Sequence, residues 1–256
     1  MHAEGAATMD AATYAVEAVI EQNHWWFAVR RELFAREIRA IGLTPEARVL
    51  DIGTSTGTNL RMLRDLGFSR VSGLDSSEEA IRFCAAKGFG QVRQGDVRAM
   101  PFDAASFELV LATDIVEHVE DDATALAEIA RVLAPGGIAL ITVPTFPSLW
   151  GLQDRVAHHK RRYRLGALLA AIRRAGLEPQ RRYYFNYLLF VPIWAARRVI
   201  DLLGIELSSE SEVNSPLLNA VLGVVFRFDA LTAPLLHPPF GVSALVVARR
   251  AGPTFG

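Results

Sequence analysis

The chain has 256 residues, 51% hydrophobic and 21% charged, enough apolar material for one large α/β domain. Its 27 basic side chains against 28 acidic ones leave a net charge of -1, which excludes the global basic footprint of a nucleic-acid binder. The single cysteine, Cys84, excludes an intramolecular disulfide and any multi-cysteine metal centre, and no metal is expected.

Residues 1–10 carry acids and no basic-then-apolar run, so they do not read as a secretory signal. Residues 10–41 read as a helix with Trp25, Trp26, Leu33, Phe34, Ile38 and Ile41 as apolar positions, ended by Gly42 and Pro45. Strands and helices then alternate. Strands are predicted at 48–52, 71–74, 91–94, 107–112 and 138–143, with helices at 59–66, after Ser76, and from Asp121 or Asp122 to Leu133. Ser76 with Glu79 has capping-box spacing. Such alternation of short apolar strands and helices implies a parallel sheet covered on both faces. Beyond Pro144 a helix is expected at 165–175, a strand at 178–185, and a closing strand at 242–249. Residues 186–238 are apolar and helical in flavour. Their most apolar runs, 188–196 and 217–226, fall short of the roughly 18 residues of a spanning helix. A cytoplasmic protein is expected, with attachment to a membrane surface left open.

In a doubly wound sheet, ligands bind at the carboxyl ends of the strands. The run Asp51-Ile-Gly53-Thr-Ser55-Thr-Gly57 follows the first strand, and its glycines permit a tight turn and close ligand approach. Asp75 ends the second strand, where an acid grips ribose hydroxyls, and Asp96, followed by Val97, lies just past the third. A dinucleotide reading fits worse, because Gly-x-Gly-x-x-Gly is not met.

These segments, with 107–112, Asp114-Ile-Val-Glu117-His118 and Arg131-Val-Leu-Ala-Pro135-Gly-Gly137, resemble the class I S-adenosylmethionine-dependent methyltransferases over residues 48–143. Ser55 departs from the family's middle glycine and adds bulk where the donor's amino-acid part would pass. The resemblance implies a Rossmann-like methyltransferase fold: a doubly wound, mostly parallel seven-stranded sheet, with an N-terminal helical extension and a helical insertion before the last strand. One domain is expected, divided into an N-terminal lid (1–45), a cofactor-binding core (46–143), an active-site connection (144–185), an apolar insertion (186–238) and a closing strand with its tail (239–256). The implied cofactor is S-adenosyl-L-methionine, held by Asp51, Gly53, Ser55, Gly57, Asp75, Ser76, Asp96, Val97, Thr113 and Trp26.

The implied reaction moves a methyl group to an oxygen or nitrogen of a small apolar or lipid-linked acceptor; a catalytically silent donor-fold scaffold is the alternative. Candidate bases are His118, His158 and His159. His118 serves either as a base or as a support of its loop. The run Asp154 to Tyr163 supplies either a base and an anion clamp or a solvated turn. Trp25 and Trp26 either cover the donor or pack in the core. The aromatics Tyr183, Tyr184, Phe185, Tyr187, Phe190 and Trp194 line an acceptor pocket, contact a membrane as a peripheral face, or pack against the sheet or a homodimer partner.

Overall fold

The computed structural model describes residues 18–203 and 215–252. Residues 18–23 are helical, and helix α1 (Trp25–Ile41) starts afresh after them. The expected continuous helix is broken at His24, whose extended backbone (ψ 131°) and Nδ1, accepting from the Trp26 amide at 3.3 Å, cap the new helix. Residues 10–17 of that expectation lie outside the described residues. Gly42 closes α1 in the left-handed conformation (φ 75°), as its position predicts.

The sheet has seven strands in the order β3-β2-β1-β4-β5-β7-β6. They are β1 (Arg48–Ile52), β2 (Arg70–Asp75), β3 (Val92–Gln94), β4 (Phe107–Thr113), β5 (Leu133–Pro144), β6 (Leu177–Phe185) and β7 (Ser243–Arg250). The first five pair in parallel, whereas β7 runs antiparallel between β5 and β6. Strand order reverses between β1 and β4, so the crevice above their carboxyl ends is the topological switch point.

Strand residues of opposite parity feed two cores. Leu50, Ile52, Val110, Ala112, Ile141 and Val246 face helices α4 (Asp122–Val132) and α6 (Leu165–Arg174), between which the chain forms the short α5 (Leu152–Val156). Val49, Leu109, Leu111, Leu140, Leu245 and Val247 face α1, α2 (Thr58–Asp65) and α8 (Pro216–Leu236). Cys84 of helix α3 (Glu78–Ala86) and Phe89 just after it pack with Leu60 against Val71 and Val92 of β2 and β3. The cap of α3 is Ser77, whose Oγ accepts from the Ala80 amide at 3.3 Å, so the expected capping box at Ser76 is corrected by one residue. Asp75 accepts from the Ser77 amide at 2.9 Å and fixes that choice.

Residues 186–238 form α7 (Phe190–Leu203) and α8, with 204–214 outside the described residues. The buried guanidinium of Arg197 donates to the Leu149 carbonyl and fastens α7 to the connection after β5. α8 lies against α1 and buries Gly223, Phe226, Asp229, Ala230 and Ala233. Phe226 stacks on Trp26 with centroids 5.2 Å apart, and Asp229 accepts from the amides of Asn186 (2.7 Å) and Leu188 (2.9 Å). At 21 residues, α8 is long and apolar enough to cross a membrane by length and composition, which corrects the shorter runs read from the sequence. Its inner face is nevertheless part of the protein core.

Candidate active site

The turn leaving β1 is built from left-handed residues: Gly53 (φ 72°), Ser55 (φ 42°) and Gly57 (φ 80°). At Gly53 a Cβ would lie 2.1 Å from Ile115 Cδ1, so the turn and the β4 loop pack face to face. Ser55 holds a conformation that favours glycine, because its amide donates to Asp75 Oδ2 at 2.9 Å. Asp51 is fully buried: Asn59 Nδ2 donates to its Oδ1 at 3.1 Å, and its Oδ2 has no hydrogen-bond partner. Burial pushes this carboxyl well above the usual range, against the Asn59 hydrogen bond.

Asp75 is also raised by burial, partly offset by the amides of Ser77 and Ser55. Ser76 is exposed, with its carbonyl accepting from Gln94. Asp96 is held below its usual range by Arg98, whose guanidinium grips both its oxygens. Val97 joins the core, and the Thr113 hydroxyl accepts from Asn59 at 3.2 Å.

The N-terminal segment closes over this turn through residues not singled out in the sequence. Glu21 accepts from the hydroxyls of Thr56 and Thr58. Trp26 is packed against both Phe185 and Phe226 and carries the Arg30 guanidinium 5.2 Å above its ring. Arg30 in turn pairs with Asp114 at 2.7 Å, just beyond β4. The side chain reaching the crevice from α1 is therefore Arg30, with Trp26 as its support.

Beyond β4, Asp114 (φ 57°) turns the chain into a 3-10 turn, Val116–His118. The Lys160 amide donates to the Glu117 carbonyl at 2.8 Å and brings the loop after β5 alongside. His118 and His159 consequently meet edge to face, 4.7 Å between centroids. Crowding by protein atoms, then His159, lowers the His118 ring to about 4, although one edge stays open to solvent. His159 Nδ1 lies 2.8 Å from Asp154 Oδ1. Asp154 is wholly buried; burial would raise it, but His159, Arg162 and the Gly151 amide hold it at about 2. Glu117 is wholly buried too, raised well above its usual range by burial and then by Asp114. His158 is exposed in a left-handed turn (φ 54°) and is not hydrogen-bonded into this cluster. The solvated-turn reading of 154–163 is corrected, since Asp154 and Arg162 are buried and paired at 2.8 Å.

Residues 50–141, from β1 into β5, match the family model described as "Methyltransferase domain". The chain carries a methyltransferase domain of the class I fold. The chain is 35% identical over 128 residues to a trans-aconitate 2-methyltransferase of Azoarcus sp., covering 48% of this chain and 50% of that protein. It is 36% identical over 104 residues to a demethylmenaquinone methyltransferase of Chlorobaculum tepidum, covering 40% and 43%. The matched stretches thus span half or less of these relatives' lengths. Among solved structures, one chain in the complex of the Haloferax volcanii Trm112 methyltransferase activator with a candidate methyltransferase superposes with a TM-score of 0.64. It shares 23% identity and covers 96% of this chain and 97% of its own, a likeness of fold.

The methyltransferase domain's turn fits the donor on its own chemistry. Asp51 Oδ2 is a buried acceptor lacking a partner, suited to the donor's ammonium group, and Asp75 keeps lone pairs for ribose hydroxyls. Asp96 fits less simply, because an adenine amine would share its carboxylate with Arg98. The aromatic cluster expected as one acceptor pocket is split by the sheet. Tyr183 and Phe185 face α1 and α8, Tyr184 faces the opposite core, and Trp194 is exposed. Phe146, Phe190 and Phe240 instead form a chain of rings at the strand ends, with successive centroids 5.2 Å apart.

Proposed function

We propose that this protein is an S-adenosylmethionine-dependent methyltransferase acting on a small apolar or lipid-linked acceptor at the membrane surface of the cytoplasm. The observation that carries the reading is the β1 turn locked to Asp75, with the buried, unpartnered Asp51 oxygen beside it. The donor supplies an electrophilic methyl carbon on a sulfonium, whose neutral thioether needs no proton on leaving. Asp75 takes the ribose, Asp96 with Val97 borders the adenine, and Gly53, Ser55, Gly57 and Thr113 line the amino-acid part. His118 and His159 flank the acceptor, at an oxygen or nitrogen of which the methyl group arrives. Most of the catalytic advantage then rests on in-line positioning, worth up to ~7–11 kcal/mol in favourable cases.

The acceptor class is supported by an exposed apolar stripe on α8: Leu217, Val221, Val224, Phe228, Leu231 and Leu235. Relatives whose names give lipid-tailed acceptors, the demethylmenaquinone and 2-methyl-6-phytyl-1,4-hydroquinone methyltransferases, favour the same class. A silent scaffold is disfavoured because Ser55 keeps the left-handed turn rather than dismantling it.

The test is calorimetric titration with S-adenosylmethionine. Wild type should bind, and Asp75→Ala should lose about 1.5–3 kcal/mol, the scale of charged hydrogen bonds. Unchanged affinity in a folded Asp75→Ala protein would remove the donor assignment. Methyl-labelled donor incubated with a fractionated lipid extract then reads out the acceptor, and no labelled lipid fraction would count against the lipid class.

A further inference from the structure

Glu117 is wholly buried, and neither of its carboxylate oxygens has a hydrogen-bond partner. An isolated carboxylate in such a place is costly unless something positive meets it. The nearby arginines are already matched: Arg30 pairs with Asp114 at 2.7 Å, and Arg162 with Asp154 at 2.8 Å. Beside Glu117 stand two imidazoles, and one ligand atom each from Glu117, His118 and His159 lies within 4.8 Å of the others. The second imidazole is oriented from behind. Its Nδ1 is taken by Asp154, which is itself fixed by Arg162 and by the Gly151 amide at 2.9 Å, so Nε2 is the nitrogen left to the cluster. Carboxylate-to-histidine support of this kind is how proteins set the tautomer of a metal-ligating ring.

We propose that Glu117, His118 and His159 hold a divalent transition-metal ion, such as Zn2+ or Mn2+, and that this ion takes a hydroxyl oxygen of the acceptor. This departs from the expectation of no metal. Two imidazoles and one carboxylate leave coordination positions open, the arrangement of catalytic rather than structural sites. An acceptor O–H bound there loses its proton to solvent more readily. The oxygen electron pair then forms the new C–O bond as the C–S bond breaks toward sulfur. The role toward the acceptor rests on the function proposed above; binding of the ion does not.

Tag-free protein, stripped with a chelator and dialysed, is titrated calorimetrically with Zn2+ and with Mn2+, and its Co2+ absorption spectrum is recorded. One equivalent of at least one ion should bind, with Co2+ ligand-field bands. Glu117→Gln and His159→Asn should each weaken binding by about tenfold or more, while donor affinity stays as in wild type. Glu117→Gln keeps side-chain volume, His159→Asn leaves a smaller neutral polar side chain, and circular dichroism verifies the folding of both; His118→Asn replaces either one that fails to fold. No binding by wild type, or equal binding by the folded variants, would overturn the site, and donor binding would survive as a separate result. If the ion binds but chelation leaves methyl transfer unchanged, its role toward the acceptor falls.

Discussion

At the scale of single residues, the crevice owes its shape to carboxylates rather than to the histidines that the sequence brings forward. Asp154 is the clearest case, since it joins His159, Arg162 and the Gly151 amide while fully buried. Removing one partner of a buried ion pair leaves an uncompensated charge, which typically costs ~3–5 kcal/mol. Asp154→Ala is therefore expected to lower unfolding free energy by about that amount, measured by urea titration. A loss below about 1 kcal/mol, the scale of exposed pairs, would show that the pair is not the anchor of this loop. The turn after β1 was legible because glycine spacing and a strand-end acid are local signals, and Gly53 and Gly57 adopt the left-handed backbone while Asp75 accepts from the Ser55 amide between them. The partnership of His118 with His159 was not, because the two lie on different loops that meet only when β4 and β5 pair. Glu117 carried one weak signal, its adjacency to His118; its burial depends on side chains remote in sequence.

At the scale of elements, most boundaries follow from apolar runs and turn residues, and the departures have local causes. Two serines competed for the cap of α3, and the Asp75 contact with the Ser77 amide decided between them. The N-terminal helix broke at His24, because a ring nitrogen able to accept an amide offers the backbone an alternative to helical pairing. Helix α8 defeated a reading by hydropathy alone: Phe226 and Ala230 face the core, while Val224, Phe228 and Leu231 are exposed. Replacing Val224 and Phe228 with aspartate should change stability by no more than about 0.5 kcal/mol per site, as usual for exposed positions. The same change should abolish association with lipid vesicles in a flotation assay. Wild type that fails to float, or a variant that floats equally well, would return the stripe to a dimer interface. Analytical ultracentrifugation would then detect that dimer.

At the scale of the whole molecule, two cores share one sheet, and the sheet is closed by a strand that arrives late. β7 contributes Ala244, Val246 and Ala248 to one core and Leu245 and Val247 to the other. Deleting residues 243–250 should therefore abolish cooperative unfolding rather than merely trim an edge, as circular dichroism on heating would register. A deletion variant that still melts in one sharp transition would show that β1 to β5 stand alone. The alternation of strands and helices foretold the parallel half of this architecture, because each unit is local. The placement of β7 was not readable from its own residues, since nothing in 243–250 names its neighbours.

That placement has a consequence for how the chain is made. β6, α7 and α8 are all synthesised between β5 and the strand that must separate β5 from β6. Throughout that interval the inner edge of β5, with Leu140 and Ile141, has no neighbour on the side β7 will occupy. An unpaired apolar edge is a template for wrong pairing, either with β6 of the same chain or with a strand of another. Pairing of β7 with both β5 and β6 covers that edge, so the last strand to be synthesised is also the one that removes the template.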